Sequence, residues 1–257
     1  MSNDDTLYDC DGIEKFRHLE MEICSLCDVN CPMCDRFSDV AVGASMTVRQ
    51  VERFIAESVE LEWPWERIRI LGGEPTIHPQ FVKIVELLVD YKSKHNPNLF
   101  LTVFSNGVGK IDEYRGWLER LGVVIYIAQK DGSIPEYFDN MWVAPIDTVP
   151  GEQPPCGIFG IRSCGIGLSA HGYYACGAGA SIARVSGQDI AIRKLSDLTY
   201  NKAYGQTKTL CNLCGHAVGF SRHQTDGSYT PMTTDRGAYW TKTLAEYKEN
   251  RIRLEKY

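Results

Sequence analysis

The chain has 257 residues, enough to bury one substantial core or a core with a small appendage. Its formal net charge of −6 argues against nucleic acid as a partner, because phosphate binding requires clustered Lys and Arg. The sequence contains no apolar run of the roughly 18 residues that a membrane helix needs, and its acidic start lacks the apolar region of a secretory signal. We therefore expect a cytoplasmic protein that does not enter a membrane.

The first half of the chain alternates predicted strands with predicted helices. Period-two alternation of apolar residues predicts the strands, and apolar residues that share one helical face predict the helices. The predicted strands are His18 to Cys24, Arg67 to Leu71, Leu99 to Phe104 and Val123 to Ala128, and the helices are Thr47 to Leu61, Pro79 to Lys94 and Ile111 to Leu121. Thr47 and Gln50 form a capping box at the start of the first helix. This strand–helix repetition predicts βαβ crossovers and a parallel sheet.

After about residue 130 the pattern changes, because Gly, Pro and Cys become frequent. We expect one further strand over Met141 to Val149 and a β-hairpin over Gly165 to Cys176 that turns near Gly172. No long helix is expected before the tail. The last segment, Tyr239 to Tyr257, has apolar residues spaced like a helix face, and we expect it to pack on the core or on a second subunit.

Cysteine is unusually frequent, with 10 residues. A reducing cytosol disfavours disulfides, and clustered thiols in such a protein indicate metal binding. Cys10 stands alone, whereas the others form two groups. The first group is Cys24, Cys27, Cys31 and Cys34, and the second is Cys156, Cys164, Cys176, Cys211 and Cys214.

Cys27, Cys31 and Cys34 have a C-x3-C-x2-C spacing on the loop after the first predicted strand. Three thiolates hold a cubane iron–sulfur cluster and leave one iron without a protein ligand, where chemistry takes place. The alternative is a structural zinc held by two CxxC pairs, Cys24 with Cys27 and Cys31 with Cys34. Zinc sites separate such pairs by a dozen or more residues, however, and here only three intervene. We interpret Cys24 as a small core residue and not as a ligand.

The stretch EMEICSLCDVNCPMCDR resembles the first strand and cluster loop of the radical S-adenosylmethionine (SAM) superfamily. The resemblance implies a 4Fe–4S cluster on Cys27, Cys31 and Cys34 whose open iron binds SAM. It also implies reductive SAM cleavage to a 5′-deoxyadenosyl radical, which takes a hydrogen atom from a substrate. Met33 departs from the family pattern, in which an aromatic residue often lies beside the adenine, but a thioether also packs on a ring.

Two further stretches, LGGEP and SNG, follow the second and third predicted strands in the order that the family has them. The resemblance implies that Gly72, Gly73 and Glu74 bind the amino group of SAM, and that Ser105 and Asn106 contact its ribose. Glycines permit close approach of backbone to ligand, and the carboxyl ends of parallel strands are where barrel active sites lie. An Asn-Gly pair is also an ordinary turn signal.

The second cysteine group resembles the auxiliary-cluster module called SPASM, or its shorter version, twitch. Family spacing favours Cys156, Cys176, Cys211 and Cys214 as ligands of a second 4Fe–4S cluster, and Cys164 is the alternative to Cys156. The number of cysteines excludes the two-cluster SPASM arrangement. A structural zinc on four thiolates is the competing interpretation.

These features together predict an α/β fold in three parts. They are a truncated, open radical SAM β/α barrel over residues 1–150, a small twitch-like auxiliary-cluster subdomain with a β-hairpin over residues 151–225, and a C-terminal tail helix over residues 226–257. We expect two 4Fe–4S clusters, SAM, and a reductant such as flavodoxin or ferredoxin as partners. The sequence does not indicate an oligomeric state.

The expected function is hydrogen abstraction from a small substrate resembling a sugar or an aminocyclitol, as in relatives with a twitch module. Net oxidation is favoured, with the auxiliary cluster as electron acceptor. One alternative is an epimerase in which a thiol, Cys164 or Cys24, returns a hydrogen atom. Another is a peptide-modifying enzyme, but such relatives often carry a leader-binding domain, and too few residues precede the first strand for one. A non-catalytic electron carrier is third, because it has no need of the LGGEP and SNG motifs.

Overall fold

The structure is a computed structural model that describes residues 15–29, 31, 34–38, 43, 45–128, 165–214, 237–250 and 254–257. Several predictions fall outside these residues. They concern Cys10, Met33, Cys156, Cys164, the strand over residues 141–149 and the domain boundaries near residues 150 and 225.

Strands and helices alternate through the first half of the chain, as predicted, and the seven predicted elements there are confirmed to within two residues. The strands are β1 (His18–Cys24), β2 (Arg67–Gly72), β3 (Phe100–Ser105), β4 (Val124–Ile127), β5 (Ile166–Ser169) and β6 (Gly172–Tyr174). The helices are α1 (Val48–Glu60), α2 (Phe81–His95), α3 (Ile111–Arg120), α4 (Gly177–Ser186), α5 (Tyr200–Leu210) and α6 (Gly237–Asn250). None of the described helices is long and apolar enough to cross a membrane.

The six described strands form one sheet in the order β4-β3-β2-β1-β5-β6. The first five strands pair in parallel, and β6 pairs antiparallel with β5. In the described part of the chain this sheet does not close on itself, so the predicted truncated α/β barrel is confirmed. The carboxyl ends of β1, β2 and β3 therefore meet at one edge of an open sheet.

The side chains of β1 alternate between two environments, as those of a strand between two layers must. Leu19, Met21 and Ile23 are fully buried in the main hydrophobic core, together with the apolar faces of α1 and α2. Glu20 and Glu22 face the opposite side and are also buried. The sheet thus separates an apolar core from a polar interior, and the site described below lies on the polar side.

The predicted capping box at the start of α1 is confirmed. The side chain of Thr47 accepts from the backbone nitrogen of Gln50 at 3.3 Å, and the Gln50 side chain accepts from the Thr47 nitrogen at 2.9 Å. The Gln50 amide nitrogen also donates to the carbonyl oxygens of Ala170 and Tyr257, both at 2.9 Å. The first turn of α1 therefore holds the β5–β6 turn and the last residue of the chain.

The predicted hairpin is confirmed, with Ala170 and His171 between its strands and Ser169 opposite Gly172. The expectation that no long helix precedes the tail is wrong, because α4 and α5 follow the hairpin. Helix α4 consists largely of Gly, Ala and Ser and is buried on nearly all sides, so it has no apolar stripe to reveal it.

A second hydrophobic core joins the cluster loop to the C-terminal helices. Helix α6 packs into it through Trp240 and Leu244, so the prediction that the tail helix packs on the core is confirmed. The helix ends at Asn250, before the predicted end at Tyr257. The members of this core include Phe37, Tyr174, Ile182, Val185, Leu210, Leu213, Trp240 and Leu244.

Candidate active site

A pocket of about 170 Å³ lies at the carboxyl ends of β1, β2 and β3. The predicted cluster ligands and the predicted SAM-binding residues of the first half of the chain meet in this pocket. All three candidate cluster ligands line it, together with four of the five candidate SAM residues. These lining residues are Cys27, Cys31, Cys34, Gly72, Gly73, Ser105 and Asn106.

The three cysteines of the loop lie in a largely desolvated environment. Cys31 and Cys34 are buried, and Cys27 is half-buried. Burial raises the pKa of the Cys27 thiol, although hydrogen bonds from Val29 and Asn106 oppose that shift. Among the described residues, no three Cys, His, Asp or Glu side chains are already gathered at metal-binding distance. Three soft thiol donors around one pocket nevertheless form the donor set that an iron–sulfur cluster requires.

The cysteine loop is anchored at Phe37, just after its last cysteine. The nitrogen of Phe37 donates to the carbonyl oxygen of Cys34 at 3.0 Å, and Phe37 has a φ of 53°, in the left-handed region. Its ring is fully buried and lies 5.0 Å from the ring of Trp240 in α6. Packing of the Phe37 ring in the second core therefore stabilises an unfavourable backbone conformation three residues after Cys34.

The Gly-Gly pair after β2 is pressed against the cluster loop. Gly73 donates to the carbonyl oxygen of Cys24 at 2.9 Å, and the nitrogen of Glu74 donates to that of Leu26 at 2.7 Å. A Cβ atom at Gly72 would overlap the carbonyl oxygen of Cys24, and one at Gly73 would overlap that of Leu26. Glycine is required here because the two backbones touch.

Glu74 points into the protein. Its side chain is 0% exposed, and its carboxylate accepts four hydrogen bonds. Oε1 accepts from the nitrogen and hydroxyl of Thr76, at 3.1 and 2.6 Å, and Oε2 accepts from the Ser105 hydroxyl and the Asn106 nitrogen, at 3.0 and 2.8 Å. Burial raises the pKa of Glu74, and these hydrogen bonds act against that shift. The carboxylate thus ties the end of β2 to the end of β3.

Asn106 bridges β3 and the cluster loop. Its side-chain nitrogen donates to Asp28 Oδ1 at 2.7 Å and contacts Cys27 Sγ at 3.6 Å. Its side-chain oxygen accepts from the nitrogen of Val108 at 2.7 Å. The SNG turn is therefore connected both to the LGGEP motif, through Glu74, and to the first cysteine.

Sequence reasoning missed a buried ionic network on the polar side of the sheet. Arg36 pairs with Glu20 at 2.9 Å and approaches Glu22 at 3.8 Å, and Arg69 pairs with Glu20 at 3.2 Å. Burial alone would lower the pKa of Arg36, but Asp35, Glu20 and Glu22 outweigh it and raise that pKa above its usual range. Burial raises the pKa of Glu22. Acidic residues at alternate positions of β1, opposite Arg69 in the sheet, were the signal that could have revealed this network.

Aromatic rings extend this polar side toward β4. The Arg69 guanidinium lies 5.0 Å from the ring centroid of Phe104, which stacks on Tyr126 at 4.9 Å. Arg69 and Phe104 both line the pocket, as do Glu20, Asp35 and Arg36. The pocket wall therefore combines charged groups with one aromatic face.

Cys24 is fully buried, and its thiol donates to the carbonyl oxygen of Glu74 at 3.3 Å. Burial raises the pKa of this thiol to about 12. A neutral thiol with a backbone partner in the main core is consistent with the interpretation of Cys24 as a packing residue.

Three cysteines of the second group lie in the described residues, and two of them, Cys176 and Cys214, contribute to the second core. Cys176 caps α4, its sulfur accepting from the nitrogen of Gly179 at 3.3 Å. A short 3₁₀ turn directly after α5 begins at Cys211 and is followed by Cys214. The start of α4 and the end of α5 are neighbours, because a Cβ atom at Gly179 would lie 3.0 Å from the side chain of Leu210. Cys156 and Cys164 lie outside the described residues.

Residues 21–130 match the family model described as the radical SAM superfamily. They form a radical SAM domain. The match begins within β1 and ends just after β4. It therefore contains the cysteine loop and both glycine-containing motifs that line the pocket.

Several solved structures of radical SAM enzymes are similar to the chain. BtrN in complex with AdoMet and 2-DOIA is 20% identical, with a TM-score of 0.36 over 45% of this chain and 47% of that one. BtrN in an open conformation is 14% identical, with a TM-score of 0.44 over 84% and 91%. SuiB of Streptococcus suis bound to S-adenosylmethionine is 19% identical, with a TM-score of 0.29 over 36% and 20%. No curated protein matches the chain in sequence.

Proposed function

We propose that the radical SAM domain of this chain is catalytic and that Cys27, Cys31 and Cys34 hold its 4Fe–4S cluster. The observation that carries the proposal is that these thiols share one pocket with the two motifs that follow β2 and β3. A pure electron carrier requires the thiols but not the second set of residues. The shared pocket therefore favours an enzyme.

Cys27, Cys31 and Cys34 would hold a cluster that, with SAM and one electron from the flavodoxin or ferredoxin, would supply a 5′-deoxyadenosyl radical to remove a hydrogen atom from a substrate. The role proposed for the chain's own residues is to bind and orient SAM. Gly72 and Gly73 present bare backbone to the pocket, and Ser105 and Asn106 present polar groups from the neighbouring strand. The SAM amino group is proposed to meet the backbone that follows β2 at Gly72 and Gly73. Glu74 does not line the pocket with them. Its buried carboxylate instead holds Ser105 and Asn106 in place.

We further propose a second 4Fe–4S cluster on Cys176, Cys211, Cys214 and a fourth cysteine, Cys156 in preference to Cys164. The packing of the start of α4 against the end of α5 supports this assignment, because a Cβ atom at Gly179 would lie 3.4 Å from Cys176 Sγ and 3.0 Å from Leu210, the residue before Cys211. A cluster with four cysteine ligands has no open iron for a substrate, so electron transfer is its natural role. The net reaction that follows is a two-electron oxidation.

The proposed substrate is small and polar, such as a sugar or an aminocyclitol. Charged side chains along the pocket wall support this choice, because Glu20, Asp35, Arg36 and Arg69 suit hydroxyl and amino groups. The proposed location is the cytoplasm, where the thiols stay reduced and a flavodoxin or ferredoxin is available. Epimerisation with Cys24 as hydrogen donor is disfavoured, because that thiol is fully buried and bonded to backbone.

Anaerobic reconstitution tests the proposal. The chain should bind about eight iron and eight sulfide ions, as two cubanes require, and should release 5′-deoxyadenosine from SAM when reduced. Replacing Cys27, Cys31 and Cys34 together by Ala should leave about half of the iron and abolish SAM cleavage. Cys24→Ala is the matched control and should retain both. Continued 5′-deoxyadenosine formation by the triple variant would contradict the assignment, and a colourless zinc protein would refute the function.

A further inference from the structure

We propose that Asn106 is a positioning residue that sets the reduction potential of the cluster on Cys27, by donating an N–H···S hydrogen bond to the Cys27 sulfur. The inference rests on the proposed function, because it takes Cys27 as a cluster ligand. It goes beyond that function by giving Asn106 a role toward the cluster, in addition to any contact with SAM.

The orientation of the Asn106 amide is fixed by its two best partners. The nitrogen of Val108 is a donor and lies 2.7 Å from Oδ1, so that atom must be the oxygen. Asp28 Oδ1 is an acceptor and lies 2.7 Å from Nδ2, so that atom must be the nitrogen. An amide nitrogen carries two protons, and the bond to Asp28 uses one of them. The other is available to Cys27 Sγ, 3.6 Å away.

The backbone of Asn106 is held as firmly as its side chain. Its nitrogen donates to the fully buried Glu74 carboxylate at 2.8 Å, which also accepts from Ser105. Asn106 itself is only 8% exposed. The next residue, Gly107, has a φ of 80°, where a side chain would also meet Ile127. With the backbone fixed in this way, rotation of the amide away from Cys27 would break both of its bonds, to Asp28 and to Val108.

A hydrogen bond to a ligating sulfur changes the energy of the two redox states unequally. The reduced cluster carries one more negative charge, so a donor to its sulfur stabilises that state and raises the reduction potential. Asp28 has the opposite effect, because its negative charge destabilises the reduced state. The Asn106 amide contacts both the Cys27 sulfur and the Asp28 carboxylate. It therefore places a hydrogen-bond donor at the sulfur and also binds one oxygen of the carboxylate.

Redox titration of the reconstituted full chain tests this role. The signal to follow by electron paramagnetic resonance is the one that changes when SAM is added, because it reports the cluster on Cys27. Asn106→Ala should lower the reduction potential of this cluster by about 59 mV. For a one-electron couple this shift is a tenfold fall in the ratio of reduced to oxidised cluster at a fixed solution potential. Asn106→Ser is the second variant, because a serine hydroxyl also bonds the backbone two residues on but cannot reach Cys27.

Asp28→Asn is the control for sign, since removing a negative charge should shift the same potential upward. If Asn106 only held the loop in place, then Asn106→Ala and Asp28→Asn would both loosen the loop, and both would shift the reduction potential in the same direction. A wild-type potential in an Asn106 variant with full iron content would overturn the inference and leave the proposed function intact. A wild-type chain without any SAM-dependent signal would instead refute the proposed function.

Discussion

Ser181 donates a hydrogen bond of 3.1 Å to the buried carboxylate of Glu22, 159 residues earlier in the chain. Ser181 lies on α4, which Cys176 caps, and Glu22 lies on β1, which leads into the first cysteine loop. One turn earlier on α4, a Cβ atom at Gly177 would overlap both Arg36 and Glu20. The helix that carries a candidate auxiliary ligand therefore rests directly on the ionic network beside the candidate SAM-cleaving site.

Removal of the Arg36 charge should destabilise the whole fold. Arg36→Met leaves the buried Glu20 without its closest partner and removes one of the positive charges near the buried Glu22. Loss of one member of a buried ion pair costs about 3–5 kcal/mol. We expect the free energy of unfolding of the iron-free chain to fall by that amount in a urea titration. The iron-free form is chosen because bound clusters make unfolding deviate from a two-state process.

Arg115→Met is the matched control, because Arg115 pairs with Asp112 on the surface of α3. Its side chain is 42% exposed, and pairs of this kind contribute no more than about 1 kcal/mol. Equal losses in the two variants would show that the buried network does not stabilise the fold.

The Cys24 thiol should give stability a distinctive dependence on alkaline pH. Burial raises its pKa from 9.0 to about 12, so above pH 9 the unfolded chain loses this proton while the folded chain keeps it. The contribution of Cys24 is therefore complete below pH 9 and is lost as the pH rises toward 12, at up to about 1.4 kcal/mol per unit.

The measurement compares the iron-free wild type with Cys24→Ala at pH 8 and pH 10.5. We expect the wild type to lose more free energy of unfolding than the variant between these two conditions. The same loss in both proteins would mean that Cys24 ionises like an exposed thiol, and would restore it as a candidate hydrogen donor.

The main features of the sheet and the first cysteine site could be predicted from sequence because their signals are local. Period-two alternation marks β1, and the capping box of Thr47 and Gln50 marks α1. Parallel strands place their carboxyl ends at one edge, so residues that directly follow β1, β2 and β3 had to meet. The pocket lined by Cys27, Gly72 and Ser105 follows from that rule.

The features that were missed depend on contacts between distant segments. Helix α4 shows no periodic apolar pattern, because its small residues are buried against β5, α5 and α6. The inward direction of Glu74 depends on Ser105 and Asn106, which lie on another strand. The pairing of Arg36 with Glu20 requires the cluster loop to fold back over β1. Local propensity and spacing contain none of this information.

The fourth ligand of the auxiliary cluster can be identified by oxidation in air. Loss of a true ligand opens one iron to solvent and oxidants, so the cluster decays faster. On spacing grounds we expect Cys156→Ala to lose auxiliary iron faster than Cys164→Ala, which serves as its matched control. Iron release after exposure to air, followed with a chelator, gives both rates. Faster loss from Cys164→Ala would reverse the assignment.

Turnover in deuterated water should distinguish oxidation from epimerisation once a substrate is found. In an oxidation of an alcohol to a ketone, the carbon would give up a hydrogen atom to the 5′-deoxyadenosyl radical, which becomes 5′-deoxyadenosine. The hydroxyl would release its proton to solvent, and the remaining electron would pass to the auxiliary cluster. We therefore expect a product two hydrogens lighter than the substrate, with no solvent deuterium on carbon. An epimerase with an exchangeable thiol would instead give a product of unchanged formula that carries one deuterium. Deuterium at an inverted carbon that disappears in Cys164→Ala would establish epimerisation, with Cys164 as the donor.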